Sequence, residues 1–435
     1  MIGVTEALLG LGLLLLLMAL GIHVAVAIFA TAALATMLYL GLPLLNSFGE
    51  TLWGTLNSFL LTAVPLFILL GEILLRSGVT ERMYSSLSVW LSRLPGGLLH
   101  TNIGASSMFA AISGSSVATA ATIGTVALPA FKERGYNERL ALGSLAAGAT
   151  LGILIPPSIN MIIYGAITNT SIGKLFIAGI VPGIALAGLF MLVIAGYALV
   201  RPDIAGNKEP VLPWSQRLLR LLDLLPPAFV FAIVMGSIYT GWATPTEAAA
   251  LGVLASLLVA AFNRKLSFAM LHQAFLSMAR TTAMILLIIV AAFFLNFVIG
   301  VLGIPTTLSN WVADLGLSPM QLILVLVLFY LVLGCFIETL SMMIATVPIV
   351  VPIVVQFGFD PIWFGIFLVL MMEISLITPP IGMNLYVVQG VRGEGRITDV
   401  MTGSLPFLLI MLAFVLAIII WPGLVMWLPN AMTGH

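Results

Sequence analysis

Two proline pairs interrupt long apolar stretches of this chain, in LGILIPPSIN at 151–160 and in LITPPIGMN at 376–384. Proline has no backbone N–H and its ring clashes with the carbonyl four residues earlier, so each pair ends a helix. Of the 435 residues 61% are hydrophobic and 7% charged, and apolar windows of about 20 residues, enough to cross a bilayer core, run from residue 7 to 428. Broken backbone is tolerated at membrane depth only inside protein or beside a cavity. The sequence therefore predicts an all-α polytopic membrane protein that encloses both breaks.

The apolar runs divide into membrane segments, two of which are too long for one crossing. Residues 98–130 and 320–355 would each form a straight helix of about 50 Å, against a bilayer core of about 30 Å. Each has a polar or glycine-rich centre, AISGSSVATA and GCFIETLSMM. Two helices joined at the far side, or a re-entrant hairpin whose tip stops inside the membrane, would both fit. The predicted segments are 7–21, 23–40, 50–75, 98–130, 138–167, 175–200, 225–242, 245–262, 281–302, 320–355, 361–390 and 404–428.

The second half of the chain repeats the first. At an offset of 223 residues the proline pair at 156–157 falls on the pair at 379–380. One residue of slippage later, Asn160 falls on Asn384. Single matches between prolines carry little weight in a chain with 23 of them, but these matches keep their register through both breaks. The pattern predicts a duplicated unit made of a long hairpin segment and a Pro-Pro-broken helix.

Basic residues surround the first copy and avoid the second. Residues 303–319 and 356–363 contain no Lys or Arg. By the positive-inside rule the first copy is rooted on the cytoplasmic side and the second on the opposite side, so the copies are inverted. Lys174 alone lies off this pattern. The basic residues assigned to the cytoplasmic side are Arg76, Arg82, Arg93, Lys132, Arg134, Arg139, Arg201, Lys208, Arg217, Arg220, Arg264, Lys265, Arg392 and Arg396.

Two further stretches are amphipathic rather than continuously apolar, WSQRLLRLLDLL at 214–225 and KLSFAMLHQAFLSMAR at 265–280. Basic residues on one face and large apolar residues on the other suit helices that lie in the membrane interface. Arms that brace a moving part and ordinary cytoplasmic linkers both fit this pattern.

Each proline break frees backbone groups that can bind ions. Carbonyls just before a break lose their helical partners and can point at a cation, and the N–H groups of the next half-helix favour an anion. The polar hairpin tips would face the breaks, 113–116 opposite 156–160 and 334–339 opposite 378–384. Hydroxyls, an amide and free carbonyls suit a hard cation such as Na⁺ better than a transition metal. Broken helices in inverted repeats mark the binding site of a secondary transporter.

Other interpretations remain open. Proton coupling is the alternative to sodium, because Glu72, Glu338 and Glu373 lie in apolar segments. Packing alone would also explain the kinks. An intramembrane enzyme would need a catalytic partner for Glu338 or Glu373, and the chain has no P-loop and no common hydrolase motif. A net charge of zero indicates neither nucleic-acid binding nor polybasic lipid binding. Since no enzyme motif is found, we expect a transporter and not an enzyme.

Four stretches together resemble the large membrane subunit of TRAP transporters, the tripartite ATP-independent periplasmic transporters. They are GSSVATAATIGTVALPAFKERGY at 114–136, ILIPPSINMIIYG at 153–165, GWATPTEAAALG at 241–252 and LITPPIGMNLYV at 376–387. The resemblance extends over essentially the whole chain. It implies a sodium-coupled elevator transporter of the bacterial cytoplasmic (inner) membrane that imports an organic anion such as sialic acid or a C4-dicarboxylate. It also implies two partners, a small four-helix membrane subunit and a periplasmic substrate-binding protein.

The resemblance favours re-entrant hairpins and divides the chain into a scaffold and a transport domain. The four-helix subunit finds no counterpart in this sequence and is expected as a separate polypeptide. A self-sufficient sodium/dicarboxylate symporter of similar hairpin architecture is the alternative. The implied divisions are scaffold helices at 1–80, repeat 1 at 81–200 with hairpin 98–130 and broken helix 138–167, arm and scaffold helices at 201–302, and repeat 2 at 303–435 with hairpin 320–355 and broken helix 361–390.

The family pattern also implies site residues, with Na⁺ as the only metal and, in the second sodium site, largely backbone oxygens as ligands. The first sodium site would comprise Ser115, Ser116, Pro156, Ser158 and Asn160. The second would comprise Gly334, Thr339, Thr378, Gly382 and Met383. Substrate would bind between them, at Ser113, Ser116, Asn160, Thr339 and Asn384.

Overall fold

The computed structural model describes residues 3–204, 206 and 212–433, so the predicted cytoplasmic position of Lys208 lies outside the described residues. The described chain is helical, with no β-strand in these ranges. The helices of the first half are α1 (Val4–Ala19), α2 (Val24–Tyr39), α3 (Ser47–Leu56), α4 (Ala63–Arg76), α5 (Val79–Leu91), α6 (Leu98–Ser113), α7 (Ser116–Glu133), α8 (Glu138–Thr150), α9 (Ile159–Thr168) and α10 (Ile172–Val200).

A second series of helices begins at Trp214. They are α11 (Trp214–Leu221), α12 (Leu225–Tyr239), α13 (Pro245–Phe262), α14 (Phe268–Val301), α15 (Ile304–Asp314), α16 (Pro319–Gly334), α17 (Thr339–Gln356), α18 (Pro361–Ile377), α19 (Met383–Arg392), α20 (Ile397–Ile420) and α21 (Gly423–Thr433). Short 3₁₀ turns occupy Leu42–Asn46, Leu151–Ile153, Pro202–Ile204 and Leu222–Leu224.

Helix boundaries recur between the two halves of the molecule. Helices α7 and α17 begin and end 223 residues apart, and α9 and α19 begin and end 224 residues apart. The second repeat therefore has one extra residue, which lies in the break between α18 and α19, where the sequence alignment of the repeats slips by one position. The series α5 to α10 therefore corresponds to α15 to α20. The predicted fold of repeated hairpins and Pro-Pro-broken helices is confirmed.

Both overlong segments are re-entrant hairpins. In the first, α6 and α7 pack against each other and their connection lies against the break between α8 and α9. A Cβ placed on Gly114 at this tip would lie 2.8 Å from the carbonyl oxygen of Pro157. In the second, Gly334 at the end of α16 packs against Ser375 near the end of α18. Each tip therefore stops at the level of a helix break, where its polar backbone is enclosed by protein.

The structure departs from the sequence interpretation in four places. The predicted segment 404–428 is divided between α20 and α21, with a break at 421–422. The predicted segment 50–75 is two helices, α3 and α4, separated by a bent connection at 57–62. The amphipathic stretch at 265–280 is the first part of α14 and not a separate arm. Helices α5 and α15 were not predicted, because each is short and amphipathic. They meet α4 and α16 at 69° and 119° respectively, so each marks a sharp bend beside a hairpin.

Six helices in the described ranges are long and apolar enough to cross a bilayer, and bent pairs raise this to as many as eight. The long spans are α10, α11 with α12, α13, α14, α17 and α20, and the bent pairs are α4 with α5 and α15 with α16. The half-helices α9 and α19 have 10 residues each and are too short to cross, whereas α17 meets the length criterion although it is one arm of the second hairpin.

The two repeats are joined tightly to each other. Helix α18 is buried from Trp363 to Ile377 and lies at the centre of the molecule. Helices α8 and α20 cross so closely that any side chain on Gly143 would overlap the backbone of Gly403. The implied division into scaffold and transport domain stays a prediction, but this packing joins residues of repeat 1 directly to residues of repeat 2.

Candidate functional site

The tip of the first hairpin is organised by hydroxyl groups. Helix α6 ends at Ser113, and Gly114 takes the left-handed conformation (φ 59°) that turns the chain. The Ser115 side chain then accepts a hydrogen bond from the Ala118 N–H at 3.4 Å and caps α7. The Thr119 hydroxyl donates to the Ser115 carbonyl at 2.7 Å and lies 3.1 Å from the Ser113 hydroxyl. The tip is therefore a compact turn whose oxygens lie close together.

This tip docks backbone to backbone on the end of α8. The Ser116 hydroxyl donates to the Thr150 carbonyl at 3.2 Å. A Cβ on Gly152 would lie 2.7 Å from the Ser115 carbonyl oxygen, so only glycine permits this approach. Two elements distant in sequence thus bring main-chain oxygens together beside the first break.

The first break is capped by its own side chains. The Ser158 hydroxyl donates to the Ile153 carbonyl at 2.7 Å and accepts from the Met161 N–H at 3.4 Å, which starts α9. Asn160, in the first turn of α9, is 4% exposed, and its Nδ2 finds no hydrogen-bond partner in the described part of the chain. A buried amide nitrogen without a partner is costly, so a ligand or water that reached it would stabilise this part of the site.

The second hairpin follows the same plan with one substitution. Glu338 stands at the position equivalent to Ser115 and caps α17 by accepting from the Ser341 N–H at 3.0 Å. The hydroxyls of Thr339 and Ser341 also donate to this carboxylate, at 3.1 and 2.9 Å. The N-terminus of α17 is therefore occupied by the protein's own carboxylate, whereas that of α7 carries only a hydroxyl.

The second break differs from the first in its asparagine. The Thr378 hydroxyl donates to the Ile374 carbonyl at 2.6 Å, and Gly382 (φ 36°) leads into α19. Asn384 is fully buried, and its Nδ2 donates to the Ala146 carbonyl of α8 at 3.2 Å. Asn384 thus connects α19 to the other repeat, whereas its sequence equivalent Asn160 is among the residues that line a cavity.

One cavity of about 560 Å³ joins the two hairpin tips and both breaks. Its walls include the end of α6, the first turn of α17, and the starts of α9 and α19. Among the predicted site residues, those that line it are Ser113, Ser115, Ser116, Asn160, Thr339 and Met383. The others lie outside this lining, namely Pro156, Ser158, Gly334, Thr378, Gly382 and Asn384.

The opposite wall comes from helices outside the hairpins. It includes His23 at the start of α2, Glu72 of α4, and Thr281 with neighbouring residues of α14. Glu72 forms an ion pair with Arg76, and the Arg76 Nη2 donates to the Ser277 hydroxyl at 3.3 Å. Within the described residues the lining carries two carboxylates, on Glu72 and Glu338, and no Lys or Arg. An anion in this cavity would therefore rely on N–H groups, hydroxyls and co-bound cations.

Sequence reasoning missed several lining residues. Ser341 could have been found, because it lies three residues after the cap Glu338 at a helix N-terminus. His23 carried no such signal, because a lone histidine in an apolar run is usually a packing residue. Thr281 likewise lies in an unbroken apolar helix. Their presence in the lining depends on how α2 and α14 pack against the hairpins.

Inverted repeats whose hairpins and broken helices enclose a cavity, with polar groups at the hairpin tips, define a membrane transporter. Residues 11–424 match the family model described as "Tripartite ATP-independent periplasmic transporter, DctM component". The chain belongs to this family of TRAP transporter large permeases. It is a multi-pass protein of the bacterial inner membrane and a permease, not an enzyme.

Similar proteins of known name support this placement. The C4-dicarboxylate TRAP transporter large permease protein DctM of Pseudomonas aeruginosa is 36% identical, over 88% of this chain and 90% of that protein. The sialic acid TRAP transporter large permease protein SiaM of Vibrio cholerae is 32% identical, over 93% and 94%. Among solved structures, the YdaH transporter of Alcanivorax borkumensis aligns with a TM-score of 0.59 at 18% identity, over 89% of this chain and 90% of that one. That likeness shows a common fold.

Proposed function

We propose that this chain imports an organic anion by sodium-coupled secondary transport. In this proposal a periplasmic binding protein delivers the substrate and a separate small membrane subunit completes the scaffold. The observation that carries it is the cavity, because one space touches both hairpin tips, both broken helices and the flanking helices α2, α4 and α14. If the hairpins and broken helices move against α2, α4 and α14, the shape of a cavity shared by all of them must change.

Sodium is supported by the donor set. The first predicted site offers hydroxyls of Ser115 and Ser116 and the amide of Asn160 beside the cavity, and carbonyls crowd the Gly152 contact. Such uncharged oxygens suit a hard monovalent ion. A bound Na⁺ would supply the positive charge that an anion needs, because the charged side chains among the described lining residues are the two carboxylates of Glu72 and Glu338. Bound Na⁺ and the half-helix N-termini would then hold the substrate carboxylate together.

Coupling follows if sodium and substrate each bind best when the other is present. Binding of one ligand then raises the affinity for the other by the same factor, which links anion import to the sodium gradient. The shared cavity supports this coupling, because the residues proposed for sodium, such as Ser116 and Thr339, are also proposed for substrate.

An elevator movement is supported by the contrast between two kinds of contact. The repeats are joined to each other by the α8–α20 crossing, by Asn384 with Ala146, and by three ion pairs. Those ion pairs are Lys132–Glu394, Arg139–Asp399 and Arg392–Glu138, with N–O distances of 2.8 to 2.9 Å. The boundary with α2, α4 and α14 instead contains the cavity, which residues of all three helices line. We therefore propose that the joined repeats move as one body along these helices.

The substrate class is an organic anion with at least one carboxylate or related acid group. The relatives carry C4-dicarboxylate and sialic acid in their names. The cavity offers hydroxyls, the amide of Asn160 and helix N-termini. These groups can bind an acid group, but they do not specify the rest of the substrate.

Uptake into proteoliposomes tests this function. This chain and its small subunit would be reconstituted and supplied with labelled succinate or sialic acid, each with its purified binding protein, with and without an inward sodium gradient. We expect uptake only when sodium and a binding protein are both present. Sodium-driven uptake without any binding protein would instead establish a self-sufficient symporter. Uptake driven equally by a proton gradient without sodium would contradict the proposal.

A further inference from the structure

An arginine is wedged between two tryptophans where α11 packs on α5. The Arg217 Cζ lies 4.5 Å from the ring centroids of both Trp90 and Trp214. The two rings are 6.1 Å apart and inclined at 68°, so the guanidinium contacts both. Arg217 is only 3% exposed, and its Nε has no hydrogen-bond partner among the described residues. Cation–π contacts of this kind fix the position of a charge without neutralising it.

Further positive charge collects around Arg217. Arg93, just beyond the end of α5, is close enough for its charge to repel that of Arg217. Arg220 is held nearby because its carbonyl accepts a hydrogen bond from the Ser86 hydroxyl at 2.7 Å. In the described ranges, the one acidic residue that pairs with these three arginines is Asp223. Its Oδ2 lies 3.9 Å from Nη1 of Arg220, whose side chain is half exposed. Within the described residues three arginines share this one carboxylate, and like charges held close together are unfavourable, so an added anion would stabilise the arrangement.

An exposed apolar surface adjoins these cations. Trp214, Leu218 and Leu222 are 65%, 55% and 56% exposed. Basic and apolar residues side by side on one helix are typical of a segment at the boundary of headgroups and acyl chains. The positive-inside pattern assigns this corner to the cytoplasmic side, where anionic lipids create a negative surface potential. The overall net charge of zero conceals this local excess.

We propose that the corner formed by Trp90, Arg93, Trp214, Arg217 and Arg220 binds the phosphate of an anionic phospholipid in the cytoplasmic leaflet. Guanidinium N–H groups of the exposed Arg93 and Arg220 donate to the phosphate oxygens, a pairing that their planar geometry favours, and the buried charge of Arg217 adds to the attraction. The acyl chains lie along Leu218 and Leu222. The bound lipid would hold α11 against α5. Helix α11 belongs to the segment between the two repeats, and α5 follows the sharp bend at the end of α4. This inference does not depend on which anion the protein transports.

The test compares lipids and charge-neutral variants of the purified chain. Native mass spectrometry and thermal unfolding would be measured with phosphatidylglycerol or phosphatidylcholine added to the detergent-solubilised protein. We expect phosphatidylglycerol to be retained and to raise the unfolding temperature more than phosphatidylcholine. Arg217→Gln and Arg93→Gln should each weaken phosphatidylglycerol binding by about fivefold, as expected for one basic residue at a membrane surface. Arg93 is exposed, so its variant should fold even if Arg217→Gln does not.

Arg396→Gln is the matched control, because Arg396 is an exposed arginine on the same predicted side and lies far along the chain, before α20. It should keep the wild-type preference for phosphatidylglycerol. Equal effects of the two lipids on the wild-type protein would overturn the proposal. So would an unchanged lipid preference in Arg93→Gln, or loss of bound phosphatidylglycerol when the small subunit is added, since the corner would then be a protein interface.

Discussion

Ser116 and Thr339 are the first residues of two helices that lie 223 residues apart, and both line the same cavity. Each follows a hairpin tip, and each tip lies against a broken helix. The duplication therefore produces one site with two halves. The halves differ in charge, because the cap that precedes Thr339 is Glu338 and the cap that precedes Ser116 is Ser115.

Removing side chains from either half should weaken sodium binding. We expect Asn160→Ala and Thr339→Ala each to raise the sodium concentration for half-maximal uptake, by about tenfold if each lost ligand contributes about 1.4 kcal/mol. Uptake would be measured in proteoliposomes over a range of sodium concentrations. Thr402→Ala is the control, because Thr402 is exposed and its hydroxyl donates to carbonyls of its own helix, those of Thr398 and Asp399. Unchanged sodium dependence in both variants, at normal expression, would show that the sites are misplaced.

A single methyl group at Gly152 should disrupt the docking of the first hairpin. Its Cβ would lie within 2.8 Å of backbone atoms of Ser115 and Ser116, which cannot move aside as a side chain would. We expect Gly152→Ala to lower stability by roughly 1–3 kcal/mol, the usual cost of overpacking, and to abolish uptake. Thermal unfolding in detergent measures the first effect.

Gly188→Ala is the matched control for this substitution. Gly188 is also helical, and no atom lies within 4 Å of a Cβ built there. The variant should keep wild-type stability or gain slightly, since alanine favours a helix. Equal stability of the two variants would mean that the tip does not rest on α8 as described.

Glu373 should be dispensable for folding. It is fully buried in α18, and neither carboxylate oxygen has a hydrogen-bond partner within the described residues. An unpaired buried polar group costs about 1–3 kcal/mol, so Glu373→Leu should raise the unfolding temperature. We expect sodium-driven uptake to survive. A more stable variant that no longer transports would assign Glu373 a functional role and revive the proton-coupled alternative.

The ion pair between Lys132 and Glu394 should make the stability of the fold depend on pH in the acidic range. Hydrogen bonding to Lys132, with Nζ 2.8 Å from Oε1, lowers the pKa of Glu394 below its ordinary value. A lowered carboxyl pKa stabilises the fold above the unfolded-state pKa, and this stabilisation is lost as pH falls through the folded-state value. Glu394→Gln should therefore lower the unfolding temperature slightly at pH 7, and the difference should vanish on acidification.

The same measurement on Glu81→Gln is the control, because Glu81 is an exposed carboxylate that forms no ion pair with the residues that the structure describes. Its effect should not follow the pH profile of Glu394→Gln. A difference for Glu394→Gln that grows in acid would have the wrong sign and would rule out the pair as its cause. The effect is expected to be small because both side chains are largely exposed.

Local chemistry explains why so much of the fold could be predicted. Proline removes an N–H wherever it stands, so the pairs at 156–157 and 379–380 end helices whatever packs around them. The apolar runs and the repeat offset are likewise properties of the sequence. Short amphipathic helices such as α5 and α15 escaped prediction because their length and composition resemble those of connecting loops.

The sequence by itself determined the helix breaks, the duplication and the family, because these depend on residues close together in the chain or on their order. Tertiary structure alone decided which residues face the cavity. Asn160 and Asn384 are equivalent in sequence, yet Asn160 lines the cavity and Asn384 is bound to Ala146 of the other repeat. The physical reason is that the two repeats pack on each other through one set of faces and enclose open space with another. Which face a residue occupies is set by contacts between elements that lie far apart in the chain.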